Sequence, residues 1–287
     1  MSQIIQLVQG SQEWLDYRLK MRNASETAAM LGVSPWMSPY QLWLLTTGRS
    51  VTKSTAAMQH GTDMEPAARA AYEAQTGNVM QPLVLQDGAY SASLDGMDLD
   101  GGLIVEIKCP YKGQSSVLWN EAMVGEVPAH YELQVQHQLM VSGAALAHLW
   151  VFDGTQGLLL PIERHEGAMD RIRTGWDLFQ QFVESDTPVP LTDADTVLRE
   201  DTAWTAAAQA FSEAKRATDA ADAALAKARD GLVALAQHPR EQGSGVSVTR
   251  YWKAGSVDYK KVPALKGVDL GLYRGKAREE VRVTAVT

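Results

Sequence analysis

"SLDGMDLDGGLIVEIKCPY", residues 93–111, places a glycine-rich stretch before an apolar run that carries Glu106 and Lys108. The run "LIVEIKC" is rich in β-branched residues and reads as the strongest strand of the chain. Alternate residues of a strand share a face, so Ile104, Glu106 and Lys108 point one way and Val105 and Ile107 the other. Burying an unpaired charge is costly. One reading is that Glu106 and Lys108 neutralise each other or lie on a solvated edge. Asp95 supports another. It precedes Glu106 by a hairpin-sized interval containing Gly96, Gly101 and Gly102, so it can return beside Glu106. Two close carboxylates repel unless a cation sits between them, and hard oxygen ligands suit Mg²⁺, or Mn²⁺. A lysine on the same face can steady charge on a phosphate or orient a water. Asp95, Glu106 and Lys108 together have the parts that metal-assisted phosphodiester hydrolysis would need. The spacing alone is a loose pattern.

The rest of the composition sets bounds. The chain has 287 residues, 45% hydrophobic and 21% charged, enough for a large domain with an appendage. A single cysteine, Cys109, excludes an intrachain disulfide and a cysteine-based zinc cluster. It reads as a small buried residue. No signal peptide or membrane span is evident, and a cytoplasmic location, the bacterial host's if phage-encoded, is expected. The net charge of −8 argues against non-specific coating of nucleic acid, though not against a local basic groove or a metal-bearing acidic site.

Along the chain, residues 11–31 read as helical, with Ser11 and Ser25 as N-caps. "GVSPWMSP" reads as a loop and "YQLWLLTTG" as a short helix. A longer helix is expected from about Ala56 to Gln75. Thr62 and Glu65 match a capping-box pattern and Pro66 a first-turn position, which predicts a kink or fresh start near residue 62. "VMQPLVLQ", "AYSASLDGM", "LIVEIKC", "AHLWVFD" and "GLLLPIER" read as strands. Helices are expected around 132–141 and over "GAMDRIRTGWDLFQQFVES". "SDTPVPLTDAD" (185–195) reads as a linker.

Beyond it, Trp204, Ala207, Phe211, Ala214, Thr218, Ala221, Leu225, Ala228, Leu232 and Leu235 repeat with spacings of 3 and 4, a heptad seam. The seam is expected to pack on another helix, in this chain or a partner. A β-hairpin with its turn near Ala254–Ser256 and a last strand, "EVRVTAV", are expected to follow. Around that turn Arg250, Lys253, Lys260 and Lys261 face one acid, Asp258, and are interleaved with Tyr251, Trp252 and Tyr259. Such a pattern can grip nucleic acid. It equally suits a hairpin whose aromatic face covers helices, the reading preferred here.

Several motifs in order resemble the YqaJ-type viral recombinase family, to which phage lambda exonuclease belongs, within the PD-(D/E)xK nucleases. They are "EWLDYRLKMRNASETAAML", "HGTDMEPAARAAYEAQTG", "SLDGM", "LIVEIKCPY" and "LQVQHQLMVSG". The resemblance spans roughly residues 11–182. It implies an α/β (α+β) fold, with a restriction-endonuclease-like core in which a central mixed sheet is flanked by helices. A nuclease domain over 1–190 would be followed by an alanine-rich helical segment (191–240) and a β-hairpin and strand appendage (241–287).

The resemblance further implies that Asp95, Glu106, the Ile107 carbonyl and Glu65 ligate metal. Lys108 would be the catalytic lysine, Gln134 a glutamine beside the site, and Arg18 and Ser25 the holders of a 5′-phosphate. On the residues alone, Glu65 is equally a first-turn carboxylate, Ser25 an N-cap, Gln134 a surface residue and Arg18 a salt-bridge partner. The implied activity is a Mg²⁺-dependent 5′→3′ exonuclease on double-stranded DNA ends. It would act as a homotrimeric ring and leave a 3′ overhang for a single-strand annealing protein. Alternatives are an endonuclease, a single-strand-specific nuclease of the same site, or a non-catalytic DNA-binding or assembly protein.

Overall fold

The computed structural model describes residues 2–51, 54–253, 255–256, 258 and 261–268. Two units are present, Met1–Thr196 and Val197–Thr287.

The first unit is built on one mixed sheet. Its strands are β1 (Gln3–Ile5), β2 (Arg22–Asn23), β3 (Gln81–Asp87), β4 (Tyr90–Met97), β5 (Leu103–Lys108), β6 (Leu146–Phe152) and β7 (Gly157–Glu163). They run in the order β1-β3-β4-β5-β6-β7, with β2 lying parallel to β4 off this path. The β5–β6 pair is parallel. Such a pair needs a crossover, which α5 (Val117–Met123) and α6 (Ala129–Ser142) supply. The remaining helices are α1 (Gln12–Arg18), α2 (Thr27–Met30), α3 (Pro39–Thr46), α4 (Ala56–Thr76) and α7 (Glu166–Glu184).

The alternation read in "LIVEIKC" holds. Ile104 packs with Leu94, Leu149 and Val151 against Val135 and Leu139 of α6. Val105 and Ile107 pack with Trp150 and Phe152 against Ala68 and Tyr72 of α4. The sheet is thus covered on both faces, and β5 is buried along nearly its whole length. A third cluster joins α2, α3 and α7 through Ala29, Met30, Leu42, Trp43, Ile172 and Trp176.

Some local expectations are corrected. No helix starts near residue 62: α4 is continuous, capped by Thr55, whose hydroxyl accepts from the Met58 N–H at 3.2 Å, and Pro66 lies inside it. The Thr62 hydroxyl instead donates to the Met58 carbonyl at 3.2 Å. Ala68 and Tyr72 are fully buried, and the Trp150 indole donates to the Ala68 carbonyl at 3.0 Å. That packing outweighs the local start signal. Ser25 is not a helix cap, because the short 3₁₀ turn Ala24–Glu26 is preceded by Asn23. The Asn23 amide donates to the Arg18 and Met21 carbonyls at 2.8 and 3.1 Å. Segment 185–195 is more than a linker, since the Ser38 hydroxyl donates to Asp195 and Asp195 accepts from the Thr192 N–H at 2.8 Å.

In the second unit, α8 (Thr202–Leu235) runs for 34 residues, about 50 Å at ~1.5 Å per residue. A hairpin follows, but earlier than expected: β8 (Arg240–Gly243) and β9 (Val246–Thr249) are joined through Ser244 and Gly245. Both turn residues have positive φ, 48° and 80°, the backbone that matches the twist of a two-residue hairpin. Residues 250–253, 255–256 and 258 form no strand, and Tyr251 and Trp252 are exposed rather than covering a helix. Ala254, Val257, Tyr259 and Lys260 lie outside the described residues, as does the segment "EVRVTAV". Among the described residues no helix is long and apolar enough to cross a membrane.

Candidate active site

The β4–β5 ladder contains only two Cα pairs, Gly96 with Val105 and Met97 with Ile104. Beyond them the strands part. The Ile107 N–H on the freed edge donates to Asp95 Oδ2 at 2.7 Å, so a side chain takes the place of a ladder bond. The Asp95 carbonyl accepts from Arg69 Nε of α4 at 2.8 Å. Backbone groups that parting would leave unpaired are thereby satisfied. Gly96 makes the approach of the strands possible: a Cβ there would lie 2.7 Å from Met80 Cβ and 2.8 Å from Val105 Cγ1. The hairpin turn is closed by Asp98, whose carboxylate accepts from the Leu103 N–H at 3.0 Å.

Glu106 is almost fully buried, at 3% exposure, and is held by α6. Its Oε1 accepts from Gln134 Nε2 at 2.7 Å, and its Oε2 from Gln138 Nε2 at 2.5 Å. Lys108 forms a close ion pair with the same carboxylate, and its ammonium lies 4.9 Å from the centre of the Tyr131 ring. Burial opposes the lysine's charge, but Glu106, Tyr131 and Asp95 outweigh it and raise its pKa above the ordinary value. Lys108 is thus held as an ammonium. Burial, reinforced by the Glu106 and Glu65 carboxylates, pushes the Asp95 carboxyl well above the usual range, against the pull of Lys108 and the Ile107 N–H.

The structure therefore brings Asp95, Glu106, Ile107, Lys108 and Gln134 together. Glu65 is in electrostatic reach of Asp95 but is ion-paired with Arg69, one helical turn along α4. Among the described residues no three His, Cys, Asp or Glu side chains form a ready-made metal cluster. Each carboxylate is turned to its own partner: Asp95 to a backbone N–H, Glu106 to Lys108 and two glutamines, and Glu65 to Arg69. The donor chemistry nonetheless fits a hard divalent cation, which would offset the burial and the Glu106 and Glu65 repulsion that raise the Asp95 pKa. Asp95, Glu106, Glu65 and the Ile107 carbonyl would hold it.

Arg18 and Ser25 meet at a second corner. Arg18 Nη2 donates to Ser25 Oγ and to Glu26 Oε1, each at 2.9 Å, and the guanidinium stacks 4.6 Å over the Trp14 ring. The Trp14 indole donates to Ser93 Oγ at 3.0 Å, and the Ser93 carbonyl accepts from Gln138 at 3.4 Å. Ser93 precedes Asp95 by two on β4, so it shares Asp95's face and links the two corners. Arg18 also lines a cavity of about 330 Å³ with Lys20, Arg22 and Trp176.

Three participants were not singled out in the sequence: Arg69, Gln138 and Tyr131. Arg69 and Gln138 follow Glu65 and Gln134 by four residues, on the same helix faces, which is the signal that finds them. The histidines near the motifs have structural surroundings. His60 meets Tyr111 edge-on at 5.4 Å and His130 meets Trp36 at 4.8 Å. His137 Nδ1 shares a hydrogen bond with Thr27 Oγ1 at 2.6 Å in the core. Burial pushes the Cys109 thiol up to about 11, so nothing activates it.

The description of the YqaJ-like viral recombinase domain matches residues 13–145. The YqaJ protein of Bacillus subtilis (strain 168) is 28% identical over 171 residues, 56% of this chain and 52% of its own, so the match spans about half of that relative. Among solved structures, the alkaline exonuclease LHK-Exo from Laribacter hongkongensis is similar with a TM-score of 0.54 and 25% identity. The match covers 62% of this chain and 94% of that one. The same protein in complex with dAMP matches equally. Residues 13–145 of this chain are thus similar to a YqaJ-like viral recombinase domain, and the fold resembles that of an alkaline exonuclease.

Proposed function

We propose that the protein is a Mg²⁺-dependent 5′→3′ exonuclease on double-stranded DNA ends, with Mn²⁺ as the alternative ion. Its product would be a 3′ overhang for a single-strand annealing protein in phage-type recombination. The observation that carries this reading is the meeting of Asp95, Glu106 and Lys108 where β4 and β5 part. The likeness to alkaline exonucleases supports it.

Asp95, Glu106 and Glu65 would hold a divalent ion, which would supply Lewis-acid stabilisation of charge on the phosphate. The chain's own groups do the rest. Gln134 and Gln138 fix the Glu106 carboxylate from α6. Lys108, ion-paired with Glu106, donates to the phosphate or assists the attacking water. Arg18, fixed over Trp14 beside Ser25, offers a planar donor to a terminal 5′-phosphate. That grip would set the direction of digestion, and a homotrimeric ring would keep the enzyme on its strand.

The test is digestion of a blunt linear duplex with either a 5′-phosphate or a 5′-hydroxyl, in Mg²⁺ or in chelator. Mononucleotides released from the 5′ side, faster from the phosphorylated end and absent in chelator, are expected. Cutting of closed circular DNA, or full activity in chelator, would overturn the reading.

A further inference from the structure

The second unit lies beyond the matched domain. No residue of α8 is buried, and Trp204, Leu225 and Leu235 stand 51%, 68% and 76% exposed. Yet the seam is a regular heptad pattern over the whole helix. Its roughly four and a half heptads exceed the roughly three to four that mark a coiled coil. One core position holds Trp204, Phe211, Thr218, Leu225 and Leu232. The other holds Ala207, Ala214, Ala221, Ala228 and Leu235. We infer that α8 pairs antiparallel with α8 of a second copy of this chain.

Volume selects the orientation. In a parallel pair like meets like: Trp204 on Trp204 and Phe211 on Phe211 alternate with alanine on alanine, giving overfilled and empty layers in turn. In an antiparallel pair centred between Thr218 and Ala221, Phe211 falls on Ala228, Leu225 on Ala214 and Leu232 on Ala207. Phe211, Leu225 and Leu232 then each meet an alanine, the arrangement that fills a core evenly, and Trp204 caps each end of the seam against Leu235.

Charge selects the same orientation independently. The edge of the seam after the alanine position holds Ala208, Lys215, Asp222 and Arg229. The opposite edge holds Ala210, Ala217, Ala224 and Gly231. A parallel pair sets each charged edge against an uncharged one and makes no ion pair. An antiparallel pair sets charged edge on charged edge. In the register fixed by volume, Lys215 of one copy lies beside Asp222 of the other, twice over. The alanine edges meet on the far side and let the backbones approach. Within one copy Lys215 is paired along the helix with Asp219, and both are about half exposed, so Lys215 is placed to reach outward.

The pairing is independent of the nuclease reading. Its test is the solution mass of the full-length protein, by sedimentation or light scattering, for wild type, Lys215→Glu, Asp222→Lys and the double variant, with helix content followed by circular dichroism. Wild type is expected as an even multiple of the chain, so that a homotrimeric ring would occur as a pair of rings. Each single reversal should raise the dissociation constant of the pair at least tenfold, halving the mass at working concentration, and the double variant should restore it. The Lys215–Asp219 pair is lost in both Lys215→Glu and the double variant, so recovery can come only from the facing helix. A monomer, an odd-numbered assembly, single reversals without effect, or a double variant that fails to recover would each overturn the inference.

Discussion

Asp95 accepts the Ile107 N–H through Oδ2 at 2.7 Å, so the carboxylate assigned to the metal also closes the end of the β4–β5 ladder. The two roles separate by substitution. Asp95→Ala leaves a buried N–H without a partner, which costs about 1–3 kcal/mol. Asp95→Asn keeps an acceptor in place and should hold stability within about 1 kcal/mol of wild type. Both should lose DNA digestion, by at least about 100-fold. Urea denaturation alongside a digestion assay checks this. Equal stability for the two variants would show that the hydrogen bond contributes nothing.

Gly96→Ala should be more damaging than its size suggests. The added methyl would lie within 2.8 Å of Met80 and Val105 side-chain atoms, which belong to the packed layer under α4. Overpacking of this kind costs about 1–3 kcal/mol. Because Gly96 follows Asp95, the displaced strand carries the carboxylate with it, so activity should fall together with the melting temperature. Unchanged activity would mean that the layer yields elsewhere.

The two glutamines on Glu106 should differ. Gln138 is 1% exposed, whereas Gln134 is only partly buried. Gln138→Leu removes a donor where water has no entry, and should destabilise by about 1–3 kcal/mol. Gln134→Leu should cost less, since solvent can replace its bond. Thermal denaturation of the pair decides it, and the reverse order would contradict the assignment.

His137 gives a pH signature. Burial pushes its pKa down to about 3 from an ordinary value near 6.5. The folded state therefore excludes a proton that the unfolded chain takes up below about pH 6.5. This contribution is complete above that pH and is lost as pH falls towards 3, by up to about tenfold in the unfolding equilibrium per pH unit. His137→Gln should flatten the dependence in that window. Chemical denaturation between pH 4 and 7 measures it, and an unchanged slope would contradict the burial argument.

The legible parts of the molecule are those where a short-range pattern and the tertiary environment agree. Strand β5 is apolar on both faces because helices cover both, and its β-branched run says so. Asp95, Glu106, Lys108 and Gln134 were found from spacing and resemblance, and they meet. The pattern failed where packing outweighed it: Thr62 and Glu65 spell a helix start that the buried Ala68 and Tyr72 suppress. It failed also at β8, where Arg240, Glu241 and Gln242 have little strand propensity and only the Ser244–Gly245 turn marks the hairpin. Ser25 illustrates a third kind of miss. A good capping residue occupies a turn that Asn23 precedes, and its hydroxyl serves Arg18 instead. Arg69 and Gln138 were present in the sequence as neighbours of recognised residues, but only the folded site shows what they bind.

The most direct test of the central claim is the rate of nucleotide release from a 5′-phosphorylated linear duplex in Mg²⁺, for wild type and for Lys108→Ala. Lys108 is ion-paired with Glu106, a carboxylate assigned to the metal, and is placed to act on a phosphate. Removing it should lower the rate at least about 100-fold, a loss of about 2.7 kcal/mol in transition-state stabilisation, with the protein still folded. Full activity of Lys108→Ala would contradict the account.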